Sequence, residues 1–274
     1  MRFSFCSFVP ALLLPILMLA LPPLAFAQDD DNSFSDNFGS SAQLTEVLSA
    51  RAAEIDVSAL SLTVLNEKGD IVSAYAGDTI SDQSLFQAAS MSKSVTAVVV
   101  LLLANKRQID LDEDVRPHIT SLNWARIKGG DKAVSLRQLL SHTAGATVSG
   151  FPGYKRSKPL PSSVEIVMGS KGVNTPAVKL TKTKDKFRYS GGGYQILQVF
   201  IEDASGQTFD DALADLVFVP LGMSKSTFAQ PLDSSAIAPL SIASAEHGFS
   251  PLQGVFLPMK DTWKNYPEQA AAGL

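Results

Sequence analysis

The sequence is poor in the residue types that carry several common chemistries. It has one cysteine, Cys6, and three histidines in 274 residues. A lone thiol cannot form an intramolecular disulfide, and it excludes cysteine-rich zinc and iron–sulfur sites. The histidines His118, His142 and His247 are scattered singly, and no His-Glu-x-x-His zinc helix occurs. We therefore expect no disulfide framework, no metal and no other cofactor.

Positive charge is also scarce. The chain has 23 Lys and Arg against 27 Asp and Glu, a formal net charge of −4. Because nucleic-acid binding depends on clustered Lys and Arg, this balance argues against a nucleic-acid partner. A charged fraction of 18% and a hydrophobic fraction of 45% are ordinary for a globular chain. The length allows one large domain or two small ones, each with a hydrophobic core.

The N-terminus has the pattern of a secretory signal peptide. Arg2 precedes an uncharged, mostly apolar run from Phe8 to Ala27, and Ala25 and Ala27 occupy the two positions that determine cleavage. An uncleaved membrane anchor is the alternative, since the run is nearly long enough to span a bilayer. Four prolines within the run favour removal. We predict a signal peptide over residues 1–27, no membrane span after cleavage, and a periplasmic or secreted location.

The rest of the chain divides into a short polar segment and one domain. Residues 28–41 are rich in Asp, Asn, Ser and Gly and predict a flexible N-terminus, and the domain is expected over 42–274. Within it, apolar spacing predicts a helix over 42–53. Two β-prone runs, Leu60 to Leu65 and Ile71 to Ala76, predict a hairpin. Early strands followed by helices indicate a sheet packed against a mainly helical region.

Helical patterns dominate the middle of the domain. Every residue from Ala97 to Ala104 is apolar, which predicts a helix buried on most sides. A short helix is expected from Ser135 to Leu140, and the Gly, Pro and basic residues of 145–160 predict an exposed loop. Two further helices are expected, one over Tyr194 to Ala204 with a single apolar face and a stop at Gly206, the next over Phe209 to Val217.

Ser90 and Lys93 form the only Ser-x-x-Lys pair in the chain, in the N-terminal turn of the helix that carries the apolar run. Residues three apart share a helix face, so the Lys93 amine can reach the Ser90 hydroxyl and take its proton. A helix N-terminus also offers a backbone N–H that stabilises an oxyanion.

The alternative is a helix cap beside a surface lysine, and the two residues alone do not decide between these. No G-x-S-x-G elbow or phosphate loop occurs, while a spatially assembled Ser-His-Asp triad stays a minor alternative.

Five stretches resemble the serine β-lactamase-related hydrolases, a family that includes class C β-lactamases, D-alanyl-D-alanine carboxypeptidases, D-aminopeptidases and lactamase-like esterases. In chain order they are Phe86 to Lys93 (FQAASMSK), Leu111 to Val115 (LDEDV), Val134 to Gly145 (VSLRQLLSHTAG), Phe187 to Tyr194 (FRYSGGGY) and Pro220 to Phe228 (PLGMSKSTF). The resemblance implies an α+β fold (an α/β sandwich) of the β-lactamase/transpeptidase type. In that fold an antiparallel sheet is flanked by helices and joined to a mainly helical region.

The same resemblance assigns roles to three residues. Ser90 is the acylated nucleophile, Lys93 its base, and Tyr189 the phenol that relays protons to the leaving group and the deacylating water. A phenol is held as phenolate only beside a cation, which Lys93 would supply. The alternative is a tyrosine at the edge of the core, followed by a glycine turn. His142 is expected to be structural and not a general base.

The sequence departs from the family pattern in two places. Gly191 stands where β-lactamases usually have Asn, so an amide that would bond a substrate amide is missing. A third motif, Lys-Thr-Gly or His-x-Gly, is not found, since the segment Lys182 to Lys184 precedes Tyr189 and lacks the glycine. The resemblance thus implies a chain without the family's last strands and C-terminal helix.

Two functions follow from these observations. The first is a serine hydrolase that acts through a Ser90 acyl-enzyme on an ester, amide or β-lactam-like substrate, either a small molecule or a peptidoglycan-like peptide. The second is a catalytically inactive, truncated homologue that is unstable alone or binds a peptide or a partner chain.

Overall fold

A computed structural model describes residues 40–55, 57, 59–65, 69, 71–77, 80–181, 186–232, 247–250, 255–258 and 263–274. These residues form helices and three two-stranded antiparallel sheets, so the predicted α+β class is confirmed. The helices are α1 Ser41–Glu54, α2 Ser92–Arg107, α3 Leu136–Leu140, α4 Ser163–Met168, α5 Gly191–Ser205, α6 Phe209–Leu213 and α7 Gln269–Ala272. The strands are β1 Leu60–Leu65, β2 Ile71–Ala76, β3 Tyr154–Lys155, β4 His247–Ser250, β5 Val255–Pro258 and β6 Lys264–Asn265. The predicted signal peptide and the segment Lys182 to Lys184 lie outside the described residues.

The N-terminal layer consists of α1 against a hairpin. Ser40 caps α1 by accepting a hydrogen bond from the Gln43 N–H, so the helix begins at Ser41, one residue before its predicted start. Strands β1 and β2 pair in the register Leu60↔Ala76 through Leu65↔Ile71, and α1 packs on β2. The predicted hairpin is confirmed, while most of its turn lies outside the described residues.

Helix α5 is the centre of the core. It contacts α2, α3, α4 and α7, and it is buried around its whole circumference from Gly191 to Ile201. The prediction of one apolar face starting at Tyr194 was therefore wrong. Helices pack on several sides of α5, so more than one face is covered. The glycine run forms the first helical turn, where the N–H groups of Gly191 and Gly192 donate to the carbonyl oxygens of Ser149 and Val148. The helix ends at Gly206, as predicted, with φ of +73°.

Close packing at Gly192 gives a first testable prediction. A Cβ on Gly192 would lie 2.2 Å from the Thr147 carbonyl oxygen, whereas one on Gly193 would meet nothing nearer than 3.5 Å. We expect Gly192→Ala to lower the free energy of unfolding by about 1–3 kcal/mol. Gly193→Ala, the matched control in the same helical turn, should leave it unchanged or raise it by up to about 1 kcal/mol. Urea unfolding measures both, and equal values for the two variants would contradict the packing argument.

Helix α2 is buried on one side only. Val99, Val100 and Leu103 are in the core. Val98, Leu101 and Leu102 share the opposite face, and their side chains are exposed. The prediction that this helix is buried on most sides was wrong for that face, because α5, α6 and α7 all pack on the other. Within the described ranges, no helix has the length and apolarity needed to cross a membrane.

Two other segments differ from the expectations. In the predicted exposed loop 145–160, Ala146 is buried and bridges to Leu180, and Tyr154 is buried where β3 pairs with β6. The predicted helix from Phe209 ends at Leu213 and continues as one π-helical turn to Phe218. In the loop, the local pattern missed pairings with distant parts of the chain.

The segment 263–274 returns to the core between α2 and α5. The Gln198 side chain donates to the Pro267 carbonyl oxygen at 3.0 Å and accepts from the Ala270 N–H at 3.1 Å. The Thr96 hydroxyl of α2 donates to the Ala270 carbonyl oxygen at 3.0 Å. These bonds hold the start of α7 directly beside Lys93.

Candidate active site

Ser90 lies in a 3₁₀ turn, Ala89–Met91, immediately before α2. The preceding residue, Ala89, has a φ of +47°, a left-handed conformation that costs a non-glycine residue about 1–2 kcal/mol. The sequence placed Ser90 inside the first turn of the helix, but the structure puts it two residues before the first helical residue, Ser92. As a result, the Ser90 side chain is exposed and can be reached by a substrate.

Lys93 is buried below this serine, in the first turn of α2. Only 7% of the residue is exposed. Its Nζ donates to Ser90 Oγ at 3.3 Å and to the Ala271 carbonyl oxygen at 2.7 Å. The alternative of a surface lysine is therefore wrong. The Ala271 carbonyl was missed by the sequence analysis, because no side-chain pattern marks a backbone oxygen.

Tyr189 approaches the serine from the segment before α5. Its hydroxyl donates to Ser90 Oγ at 2.9 Å, and its ring centroid is 5.0 Å from Lys93 Nζ. Partial burial disfavours the phenolate, but hydrogen bonds with Lys93 and Ser90 and the Lys93 charge outweigh it. Together they lower the pKa of Tyr189 below the ordinary value of a phenol. The structure thus brings all three predicted site residues together.

The described histidine side chains do not bond Ser90. His118 is half-exposed and lies 3.0 Å from the Glu113 carboxylate, measured from Nε2 to Oε1. His142 Nδ1 accepts a hydrogen bond from the Ser190 N–H at 3.1 Å. Burial and the nearby Lys93 charge lower the pKa of His142 below its usual value. Neither residue is placed as the base of a Ser-His-Asp triad.

Gly191, which the resemblance places where β-lactamases usually have Asn, lies against an aromatic ring. A Cβ at Gly191 would be 2.8 Å from Phe151 Cε2. An Asn side chain therefore does not fit here unless Phe151 moves. No signal in the sequence pointed to Phe151, since it lies in a segment predicted to be an exposed loop.

The arrangement suits acyl transfer at a serine, because two proton-carrying groups touch one accessible hydroxyl. In the part of the chain that the structure describes, no group of three or more His, Cys, Asp or Glu side chains is placed to hold a metal ion. The fold and this cluster are those of the serine-hydrolase class of proteins.

Comparison with known families agrees with that class. The family model described as Beta-lactamase matches residues 44–238, well over half of the chain. The protein therefore belongs to the β-lactamase family of serine hydrolases, which includes relatives named as penicillin-binding proteins. The matched range contains Ser90, Lys93 and Tyr189.

Two curated relatives illustrate the similarity in sequence. Penicillin-binding protein 4 of Amycolatopsis lactamdurans is 28% identical over 150 residues, which cover 55% of this chain and 38% of that protein. Penicillin-binding protein 4* of Bacillus subtilis (strain 168) is 29% identical over 150 residues, or 52% of this chain and 30% of that protein. The chain thus matches about a third of the length of these relatives.

Solved structures show the same fold at lower identity. The D-amino acid amidase from Ochrobactrum anthropi SV3 superimposes with a TM-score of 0.60 and 21% identity, covering 85% of this chain and 65% of the amidase. EstCE1, described as a hydrolase with promiscuous acyltransferase activity, gives a TM-score of 0.61 at 16% identity, covering 85% of this chain and 68% of EstCE1. The predicted β-lactamase/transpeptidase-like fold is confirmed.

Proposed function

We propose that this protein is a serine hydrolase that works through an acyl-enzyme on Ser90. One observation carries the proposal: Lys93 Nζ and Tyr189 OH both lie within hydrogen-bond distance of Ser90 Oγ, at 3.3 and 2.9 Å. Both groups can therefore exchange a proton with the nucleophile without a large movement.

In the first step, Ser90 Oγ attacks the substrate carbonyl carbon while its proton passes to the Lys93–Tyr189 pair. The tetrahedral intermediate then collapses, the bond to the leaving group breaks, and the pair returns the proton to that group. In the second step, water gives a proton to the pair and attacks the acyl carbon, and the acid leaves as Ser90 regains its proton. The lowered pKa of Tyr189 supports its part, because Lys93 and Ser90 favour the phenolate, which is the form that accepts a proton.

For the substrate we propose small acyl compounds, with esters preferred to β-lactams. Gly191 offers no side-chain amide to hydrogen-bond a substrate amide, and the Phe151 ring lies against that position. An ester has no amide N–H that needs such a partner. The absence of the Asn amide therefore costs an ester less binding free energy than a substrate with an amide group. The names of two structural neighbours, an amidase and a hydrolase with acyltransferase activity, are in keeping with acyl transfer. The predicted signal peptide supports action outside the cytoplasm, where a peptidoglycan-like peptide is an alternative substrate.

Labelling of the serine tests the proposal. We expect a fluorophosphonate to add one phosphonyl group to the chain, with loss of fluoride, and Ser90→Ala to abolish the adduct in intact-mass spectra. Ser94→Ala, at an exposed serine in the first turn of α2, is the matched control and should label like the unaltered chain. A folded chain without an adduct, or an adduct that persists in Ser90→Ala, would overturn the proposal. The first of these results would favour the inactive homologue that binds a peptide or a partner chain.

A further inference from the structure

The residues on both sides of Tyr189 are tied to one residue, His142. The Arg188 N–H donates to the His142 carbonyl oxygen at 2.8 Å. The Ser190 N–H donates to His142 Nδ1 at 3.1 Å. Tyr189 is thus held between two hydrogen bonds to the main chain and the side chain of the same residue.

The imidazole ring also supports the phenol ring directly. The His142 and Tyr189 ring centroids are 4.5 Å apart, with an interplanar angle of 38°. On its other sides the imidazole contacts the rings of Tyr194, at 5.2 Å, and Phe187, at 5.8 Å. A side chain in this stack cannot rotate without displacing the Tyr189 ring.

The backbone at His142 is shaped for this contact. His142 follows the end of α3 and has a φ of +60°, a conformation that favours glycine or asparagine. The N–H groups of the next two residues, Thr143 and Ala144, both donate to the Gln138 carbonyl oxygen and close the turn. In this left-handed conformation the His142 ring is directed toward the Ser190 N–H.

We propose that His142 is a positioning residue that holds the Tyr189 hydroxyl against Ser90 Oγ. The proposal rests on the proposed hydrolase function and deepens it, since it names the support of the proton-carrying phenol. His142 does not touch the reacting serine and therefore acts only through Tyr189. Its Nδ1 must stay unprotonated to accept the Ser190 N–H, so the support is lost when the ring becomes a cation.

The charged and titratable groups around the imidazole favour its neutral form. Lys93 from α2, whose charge lowers the pKa of His142, is the cation that faces it. Tyr189 and, from α5, Tyr194 contact the ring itself. Protonation would place a second cation near Lys93 and remove the acceptor for Ser190 at the same time.

Two substitutions separate the hydrogen bond from the ring contact. His142→Phe keeps a flat ring and removes the acceptor. His142→Asn keeps an acceptor close to the position of Nδ1 and tolerates positive φ. His118→Phe is the matched control, because that histidine is half-exposed and its imidazole pairs with Glu113 and not with a residue of the site.

We expect His142→Phe to lower the rate constant for Ser90 acylation by about 10–100-fold, as a small misplacement of a reacting group does. His142→Asn should recover at least half of that loss on a logarithmic scale, and His118→Phe should change nothing. The acylation rate of the unaltered chain should fall as the pH drops below the lowered pKa of His142. That decrease should be weaker in His142→Asn. Equal losses in both His142 variants, in step with their thermal unfolding temperatures, would overturn the proposal.

A second readout needs no activity. Ultraviolet absorbance follows ionisation of the phenol, and the difference from Tyr189→Phe isolates Tyr189. We expect His142→Phe to raise the pKa of Tyr189 toward its ordinary value, because the hydroxyl moves away from Lys93 and Ser90. If the unaltered chain forms no Ser90 adduct, the proposed function fails while this titration still decides the role of His142. An unchanged Tyr189 titration in His142→Phe would contradict that role.

Discussion

Replacing Lys93 with methionine is expected to slow acylation of Ser90 by about 10²–10⁴-fold, the range typical of a lost general base. Methionine retains most of the buried volume, but it gives no hydrogen bond to Ser90 Oγ and carries no charge. Both losses act on the same step, because the Lys93 charge also helps to lower the pKa of Tyr189. The rate constant for fluorophosphonate labelling, followed by intact mass, measures the effect.

The pH profile of the same variant distinguishes loss of charge from loss of packing. In the unaltered chain, labelling should rise with pH through the lowered pKa of Tyr189. In Lys93→Met this rise should move upward, toward the ordinary phenol value of about 10. Lys106→Met, an exposed lysine near the end of α2, is the matched control and should leave rate and profile unchanged. Labelling of Lys93→Met at the unaltered rate would refute the role assigned to Lys93.

Stability is expected to fall as the pH rises from about 5 to 8, and Glu268 is expected to be the main cause. Glu268 is completely buried, and neither of its carboxyl oxygens has a hydrogen-bond partner among the described residues. Burial raises the pKa of this carboxyl from 4.5 to about 7. Between pH 4.5 and about pH 7 the folded chain therefore keeps Glu268 mostly protonated, whereas the unfolded chain ionises it.

The sign of the effect follows from that difference. Below the unfolded pKa of 4.5, Glu268 is neutral in both states and costs nothing. As the pH rises above 4.5, Glu268 loses its proton first in the unfolded state, which lowers the free energy of the unfolded state relative to the folded state. The loss of stability is complete once the pH passes the folded pKa of about 7, and its size is on the order of 3 kcal/mol.

Urea unfolding at pH 5 and at pH 8 measures this loss. Glu202 and Asp210 have pKa values raised by burial and contribute in the same direction, so the informative quantity is the difference between variants. Glu268→Gln should remove most of the decrease, because an amide does not ionise. Glu46→Gln, an exposed position, should keep the decrease in full. An equally steep decrease in Glu268→Gln would show that Glu268 is not its source.

Glu268 also connects stability to the site. Its carbonyl oxygen accepts hydrogen bonds from the N–H groups of Ala271 and Ala272, and the Ala271 carbonyl in turn accepts from Lys93 Nζ. Ionisation of the buried Glu268 carboxyl at the start of this turn therefore destabilises the segment whose carbonyl group binds Lys93. For this reason the labelling rates should be measured on samples shown to be folded at each pH.

Several features of the candidate site were predictable from the sequence. The Ser-x-x-Lys spacing places Lys93 next to Ser90 in any helical or 3₁₀ turn, because that contact is made within a single turn. Tyr189 was found through the resemblance and not through spacing, since it lies 99 residues from the serine it touches. The support of Tyr189 by His142 and the Phe151 ring at Gly191 had no local signal.

The sequence by itself determined the local elements: the hairpin of β1 and β2, the helix after Ser90, the short helix α3 and the helix end at Gly206. These depend on apolar periodicity, capping side chains and glycine conformations, all set by neighbours within a few residues. Only the tertiary structure decided the burial of Lys93, its bond to the Ala271 carbonyl 178 residues away, and the exposed face of α2. The physical reason is that burial depends on which distant segments pack together, and a local residue pattern does not identify those segments.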